Sequence, residues 1–231
     1  MPAAGSRPEV PRSVSVSLGS LLATVGGFLD SYTYLTRNGV FATSQTGNIV
    51  LFGIESARGE WASAVKHLPP LLAFLAGVLA AETLKRPRVT QLIRYPARAA
   101  LVIEIIALLI VGALPASTPD AVVTLTVAFV CSVQVSMFRT LIKWQYNTTM
   151  TTGNLRTAAH ALFVAWADRD ADAALRARAF GLILLAFTLG AVLGAVSSLQ
   201  LGVHAAWVAA GCLMLGLWMF IADHLHTEQN A

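Results

Sequence analysis

The chain has 231 residues, of which 56% are hydrophobic and only 12% charged, and its mean hydropathy is +0.66; this balance excludes a soluble globular domain and points to a lipid bilayer. The net charge of +4 is not a nucleic-acid footprint, because the basic residues sit in short loops beside apolar runs rather than on one soluble face. Cys131 and Cys212 fall inside apolar segments, so neither a disulfide framework nor a metal site is expected.

Residues 1–13 hold Pro2, Arg7, Pro8, Pro11 and Arg12 and read as a short basic tail on the cytoplasmic side. The apolar run that follows is too long for a signal peptide, whose apolar region is about 7–15 residues, so an uncleaved first span is expected. Crossing a hydrocarbon core takes about 20 helical residues. Runs of that order are predicted at about Val14–Thr36, Leu68–Leu84, Pro96–Leu114, Ala121–Ile142, Ala177–Leu199 and Val203–Ala222. Two shorter pieces, Thr46–Ala57 and Thr152–Ala167, each open on Thr-Gly-Asn. Each is too short to cross easily, and both read as half-helices that enter and leave on one side.

The alternative is that both short pieces cross, giving eight spans, and basic residues choose between the two, since they collect on the cytoplasmic side. Lys85, Arg86, Arg88, Arg94 and Arg98 form the densest basic loop. With that loop inside, six spans put thirteen Lys and Arg in the cytoplasm and only Arg37, Arg58 and Lys66 outside, whereas eight spans leave nine against seven. Six spans are therefore preferred, with both termini in the cytoplasm.

An offset of 106 carries Thr46-Gly47-Asn48 onto Thr152-Gly153-Asn154, and also Val14–Thr36 onto Asp120–Ile142 and Pro96 onto Gly202. Residue identity between the halves is low, so hydropathy and spacing carry the repeat. Each half has three spans and one half-helix. Because three is odd, the second half starts on the opposite side of the membrane, which makes an inverted-topology repeat of the kind transporters and pores use. The expected fold is an all-α integral membrane protein with six transmembrane helices plus two re-entrant half-helices. It forms one membrane domain over residues 14–231, with repeat one at about 14–116 and repeat two at about 120–222.

A half-helix that starts at depth leaves its first N–H groups without partners, tolerated only beside protein or a water-filled cavity. Thr46 and Thr152 are expected to cap with their hydroxyls, Gly47 and Gly153 to allow close approach, and Asn48 and Asn154 to place an amide beside the positive end of the helix. Such an end attracts anions and polar solutes. The bland reading is that both motifs are tight caps packed on one another. Asp30 lies about 24 Å along the first span, within reach of the first re-entrant loop, either as a proton-coupling group or as a buried cap for that loop. Glu104, flanked by branched apolar residues, is expected to be neutral or partnered, as a proton or gating group or as an inter-helix hydrogen bond. Gln134 and Ser136 sit on the helix that matches the Asp30 helix and would line the same cavity or make ordinary polar contacts. Gly190 and Gly194 have the small-xxx-small spacing of close helix packing. No catalytic constellation is present in the sequence, so an enzyme is not expected, nor is a cofactor.

The stretch GGFLDSYTYLTRNGVFATSQTGNIVLFG, Gly26 to Gly53, resembles the glycine-aromatic-x-Asp and Phe-x-x-x-x-Thr-Gly-Asn signature of the YoaK family, also catalogued as domain of unknown function 1275. VQVSMFRTLIKWQYNTTMTTGNL, Val133 to Leu155, resembles that family's second signature. The resemblance covers the chain after residue 13. It implies a bacterial inner-membrane setting and marks Asp30, Thr46, Gly47, Asn48, Gln134, Arg139, Thr149, Thr152 and Gly153 as family positions, with Val135 and Ser136 departing from the pattern. Taken together, these readings predict a permease or channel for a small polar solute, anionic if the helix ends set its charge, bound at the paired half-helix N-termini. A non-transporting membrane scaffold or accessory subunit is the alternative.

Overall fold

The computed structural model describes residues 14–93 and 95–229, with side chains described to residue 222; the tail predicted over residues 1–13 lies outside the described residues. The chain is helical almost throughout: α1 (Val16–Thr36), α2 (Gln45–Ala57), α3 (Trp61–Val65), α4 (Leu68–Leu84), α5 (Pro87–Thr90), α6 (Pro96–Ala113) and α7 (Asp120–Met137), then a hairpin of β1 (Thr140–Leu141) and β2 (Trp144–Gln145), then α8 (Thr151–Ala167), α9 (Ala171–Leu201), a 3₁₀ turn (Gly202–Ala205) and α10 (Ala206–Gln229).

Length and apolar composition alone mark four stretches able to cross a membrane: Trp61–Leu84, Pro96–Ala113, Asp120–Met137 and Ala171–Ala222. The last has 52 residues and contains α9, the 3₁₀ turn and most of α10. Missing from that set is α1, although its 21 residues reach about 31 Å. The reason is where it sits. Helix α1 is wrapped by protein and buries Leu18, Leu22, Phe28, Leu29, Tyr32 and Asp30, so it carries glycines, hydroxyls and a carboxylate where a lipid-facing helix would need aliphatic side chains.

Helix α1 packs most extensively on α9 and α4 on α7, and α1 also meets α10 as α6 meets α7. Counting α7, α8, α9 and α10 as the counterparts of α1, α2, α4 and α6, each of these pairings maps onto another when the halves are exchanged. Close approach of α1 and α9 depends on glycine. An added Cβ on Gly27 would lie 2.1 Å from the Phe187 carbonyl oxygen, and one on Gly190 or Gly194 would lie 2.0 Å or 2.4 Å from the carbonyl of Thr24 or Phe28.

Polar contacts between distant segments tie the helices together at both ends. At one end the Tyr32 hydroxyl donates to the Val203 carbonyl at 3.0 Å, and Arg37, only 1% exposed, lies 3.6 Å from Asp120 and donates to the Thr118 carbonyl at 3.4 Å. At the other, the Val14 and Ile142 amides exchange hydrogen bonds with the Thr140 and Val14 carbonyls, and Lys143 pairs with Asp172 at 2.5 Å.

Two predicted boundaries change. The span expected to run to Ile142 ends at Met137, because residues 138–146 form the hairpin, with Ile142 at φ 56 in its turn, and that hairpin pairs with Val14. Helix α9, expected from Ala177, starts at Ala171, where Asp170 caps it by accepting from the Asp172 and Ala173 amides.

Candidate functional site

The Thr-Gly-Asn copies lie in the first turns of α2 and α8. Each asparagine is buried, and the two do the same thing. The Asn48 Oδ1 accepts from the Phe41 amide at 3.1 Å, while its Nδ2 donates to the Phe41 carbonyl at 2.8 Å. The Asn154 Oδ1 accepts from the Asn147 amide at 3.2 Å, and its Nδ2 donates to the Asn147 carbonyl at 2.6 Å. Phe41 and Asn147 are themselves 106 apart. An amide carries one acceptor and one donor end, so a single asparagine clamps both polar groups of one loop residue and holds the preceding loop against its own helix.

The rest of the first loop is satisfied from α1. The Ala42 amide donates to Thr33 Oγ1 at 3.0 Å; the Thr43 and Ser44 amides donate to Asp30 Oδ1 at 2.8 and 3.3 Å. Four consecutive N–H groups thus end on side chains, which answers the demand for internal partners in a membrane. In the second half the residue 106 positions after Asp30 is Ser136, and no carboxylate serves. Instead the Asn147 Oδ1 accepts from the Thr149 and Met150 amides at 2.9 and 3.0 Å.

Capping by Thr46 and Thr152 is overturned by this arrangement. The N-cap positions belong to Ser44 and Met150, neither of which makes a side-chain cap bond. The helices start earlier than the motif because Asp30, Asn147 and the asparagine clamps fix the chain before it. Gly47 does permit a close approach, since a Cβ there would lie 3.0 Å from the Phe41 ring, but a Cβ on Gly153 would meet nothing within 4 Å.

The two tips face a common cavity of about 740 Å³. Thr43 to Thr46 line it from one tip, Thr149 to Thr152 from the other, and Asp30 and Ser31 from α1; Leu71, Leu72, Phe74, Leu75 and Val78 of α4 and Phe187 and Ala191 of α9 complete its walls. Helix α1 passes beside both tips, because a Cβ on Gly26 would lie 2.7 Å from the Thr148 carbonyl and Asp30 is one turn farther on. Among the described hydrogen bonds none uses the amides of Thr46, Gly47, Thr152 or Gly153, as expected for the first turn of a helix. The structure therefore brings Thr46, Thr152 and Asp30 to one cavity. Asn48, Asn154, Gly47 and Gly153 sit just behind it.

Gln134 and Glu104 do not line it. Gln134 is buried with its Nε2 unpartnered. Glu104 is fully buried on α6, accepts from the Cys131 thiol at 3.6 Å through Oε1, and has no partner for Oε2. Unexpected from the sequence are Thr33, Asn147 and His67, whose Nδ1 lies 3.4 Å from Asn48 Oδ1. Of these, Asn147 had a signal: a second loop built like the first but lacking its carboxylate needs another acceptor nearby.

The family described as Protein of unknown function (DUF1275) matches residues 18–219. The chain belongs to this family. Within it, the UPF0700 transmembrane protein YoaK of Bacillus subtilis (strain 168) is 35% identical over 65 residues, 28% of this chain and 29% of that protein. The aligned stretch thus spans less than a third of that relative's length. No solved structure matches. A DUF1275 chain with apolar helices of spanning length and a transmembrane relative is a multi-pass membrane protein.

Proposed function

We propose that this DUF1275 protein is a permease or channel for a small polar solute that binds where the Thr46 and Thr152 tips meet. The observation that carries the proposal is the shared cavity: two helix N-termini, eight hydroxyl or amide side chains and one carboxylate face it near the middle of α1. Helix ends and backbone N–H groups without partners favour polar ligands, and a break in helical structure at depth is tolerated where it lines a cavity.

The fold proposed with it has six spans and two re-entrant helices in inverted repeats, in the bacterial inner membrane with both termini cytoplasmic. Pairings of the long helices that exchange with the halves support the repeat. The polar contacts at the two ends support the crossing count, because Arg37, Asp120 and Val203 share one face in six crossings and Val14, Lys143 and Asp172 share the other. Asp30, in the cavity wall, and Glu104, away from it, are the acidic groups on which coupling or gating would rest.

Flux in proteoliposomes tests the proposal. Thr46→Val with Thr152→Val keeps side-chain volume and removes two hydroxyls from the cavity, so transport across a panel of small polar solutes should fall at least about tenfold while the protein unfolds at the same temperature. Unchanged flux in the double variant would remove the site. The asparagine clamps favour a second reading, a non-transporting scaffold, since they spend both amides inside the protein; absence of any flux from the unmodified protein would support it.

A further inference from the structure

Charge at the two tips is unequal. A helix N-terminus carries roughly +0.5 of an elementary charge, so the pair supplies about +1. The α2 end already has its counter-ion, the Asp30 carboxylate on the Thr43 and Ser44 amides. At the α8 end the same work is done by the neutral amide of Asn147. With Asp30 as a carboxylate the site sums to about zero, one end locally negative and the other locally positive. A simple anion gains little from such a site, whereas a zwitterion meets an opposite charge at each end.

One carboxylate oxygen in the wall is left for a ligand. Asp30 is 7% exposed, lines the cavity and takes both described hydrogen bonds on Oδ1, so that Oδ2 accepts none of them. Thr43, 2% exposed, also lines the cavity, and its buried hydroxyl lies against the Asp30 carboxylate. The second tip touches α1 at Gly26, one helical turn or about 6 Å from Asp30, a gap that one head group spans.

The opposite wall is apolar. It comes from Leu71, Leu72, Phe74, Leu75 and Val78 of α4, and Leu72 and Leu75 are 65% and 56% exposed, so this wall continues onto a lipid-facing surface. A volume of about 740 Å³ falls within the range of roughly 300–1,000 Å³ for pockets that enclose organic ligands. An inorganic anion would leave most of it empty.

Resting on the permease reading, we infer that the solute is a zwitterion with an apolar body, of which an α-amino acid with a branched or aromatic side chain is the simplest member. Its ammonium group meets Asp30, its carboxylate meets the α8 N-terminus at Thr151 and Thr152, and its side chain lies on α4. Asp30 is then a binding group, and Glu104 is left as the acidic group for coupling.

Binding of five probes to the purified full-length protein in detergent, by titration calorimetry, tests this. Leucine is expected to bind, and 4-methylpentanoate, 3-methylbutylamine and glycine, which lack the ammonium, the carboxylate and the apolar body, should each bind about 10- to 100-fold more weakly; formate should not bind. Asp30→Asn should cost leucine a similar factor and leave 4-methylpentanoate unchanged. If that variant does not fold, Leu75→Trp on the exposed apolar wall should abolish leucine binding and spare glycine. Formate or 4-methylpentanoate binding as tightly as leucine, with flux still lost in Thr46→Val/Thr152→Val, overturns the zwitterion and keeps the permease. Silence of all five probes together with no flux of any solute overturns both.

Discussion

At the scale of single residues, Asp30 shows how a carboxylate in an apolar helix is used. It closes two buried N–H groups of the loop that precedes α2. Removing the acceptor leaves both without partners, at about 1–3 kcal/mol each. Asp30→Ala should therefore destabilise the protein by about 2–6 kcal/mol, whereas Asp30→Asn, which keeps a carbonyl oxygen, should cost about 1 kcal/mol. Unfolding in detergent checks the difference, and equal losses would mean that the oxygen is not the cap. The sequence placed this side chain within reach of the loop, since a helix rise fixes its depth. It did not show Thr33 or Asn147, because small polar residues are common in this chain and only the folded path brings one to a free N–H.

At the scale of elements, glycine spacing on α9 decides how close α1 comes. Gly190→Ala would drive a methyl group to 2.0 Å from the Thr24 carbonyl oxygen, backbone that cannot move aside cheaply, so a loss of about 1–3 kcal/mol or more is expected. Gly181, on the same helix, has nothing within 4 Å of an added Cβ. Gly181→Ala should be neutral or stabilise by up to about 1 kcal/mol through helix propensity. Thermal unfolding of the two variants side by side is the check; similar behaviour would mean that the contact of α1 with α9 is loose. Small-xxx-small spacing announced a packing face but not which helix it meets. Likewise, hydropathy ran on past Met137 because Phe138, Leu141 and Ile142 are apolar, and pairing with Val14 is a tertiary contact that no local pattern contains.

At the scale of the whole molecule, labelling from outside counts the crossings. Six crossings put Arg58 outside and Asp168 in the cytoplasm, whereas eight would put both outside. On a background with Cys131 and Cys212 replaced by alanine, Arg58→Cys should react with a membrane-impermeant maleimide in intact cells, and Asp168→Cys only after permeabilisation. Labelling of both in intact cells would exclude re-entry of α8.

By itself the sequence determined that this is a helical membrane protein, where its long apolar helices fall, that two Thr-Gly-Asn helices answer one another at a spacing of 106, and which family signature it carries. These are properties summed along the chain: apolar length sets what lipid will accept, and a repeat is visible in register. Only the tertiary structure decided that the asparagines clamp Phe41 and Asn147, that the threonines do not cap, and that both tips open on one cavity beside Asp30 and away from Glu104. Those outcomes depend on which donor meets which acceptor across the fold, and in an interior without water each such pairing is fixed by where the whole chain lets two groups come within about 3 Å.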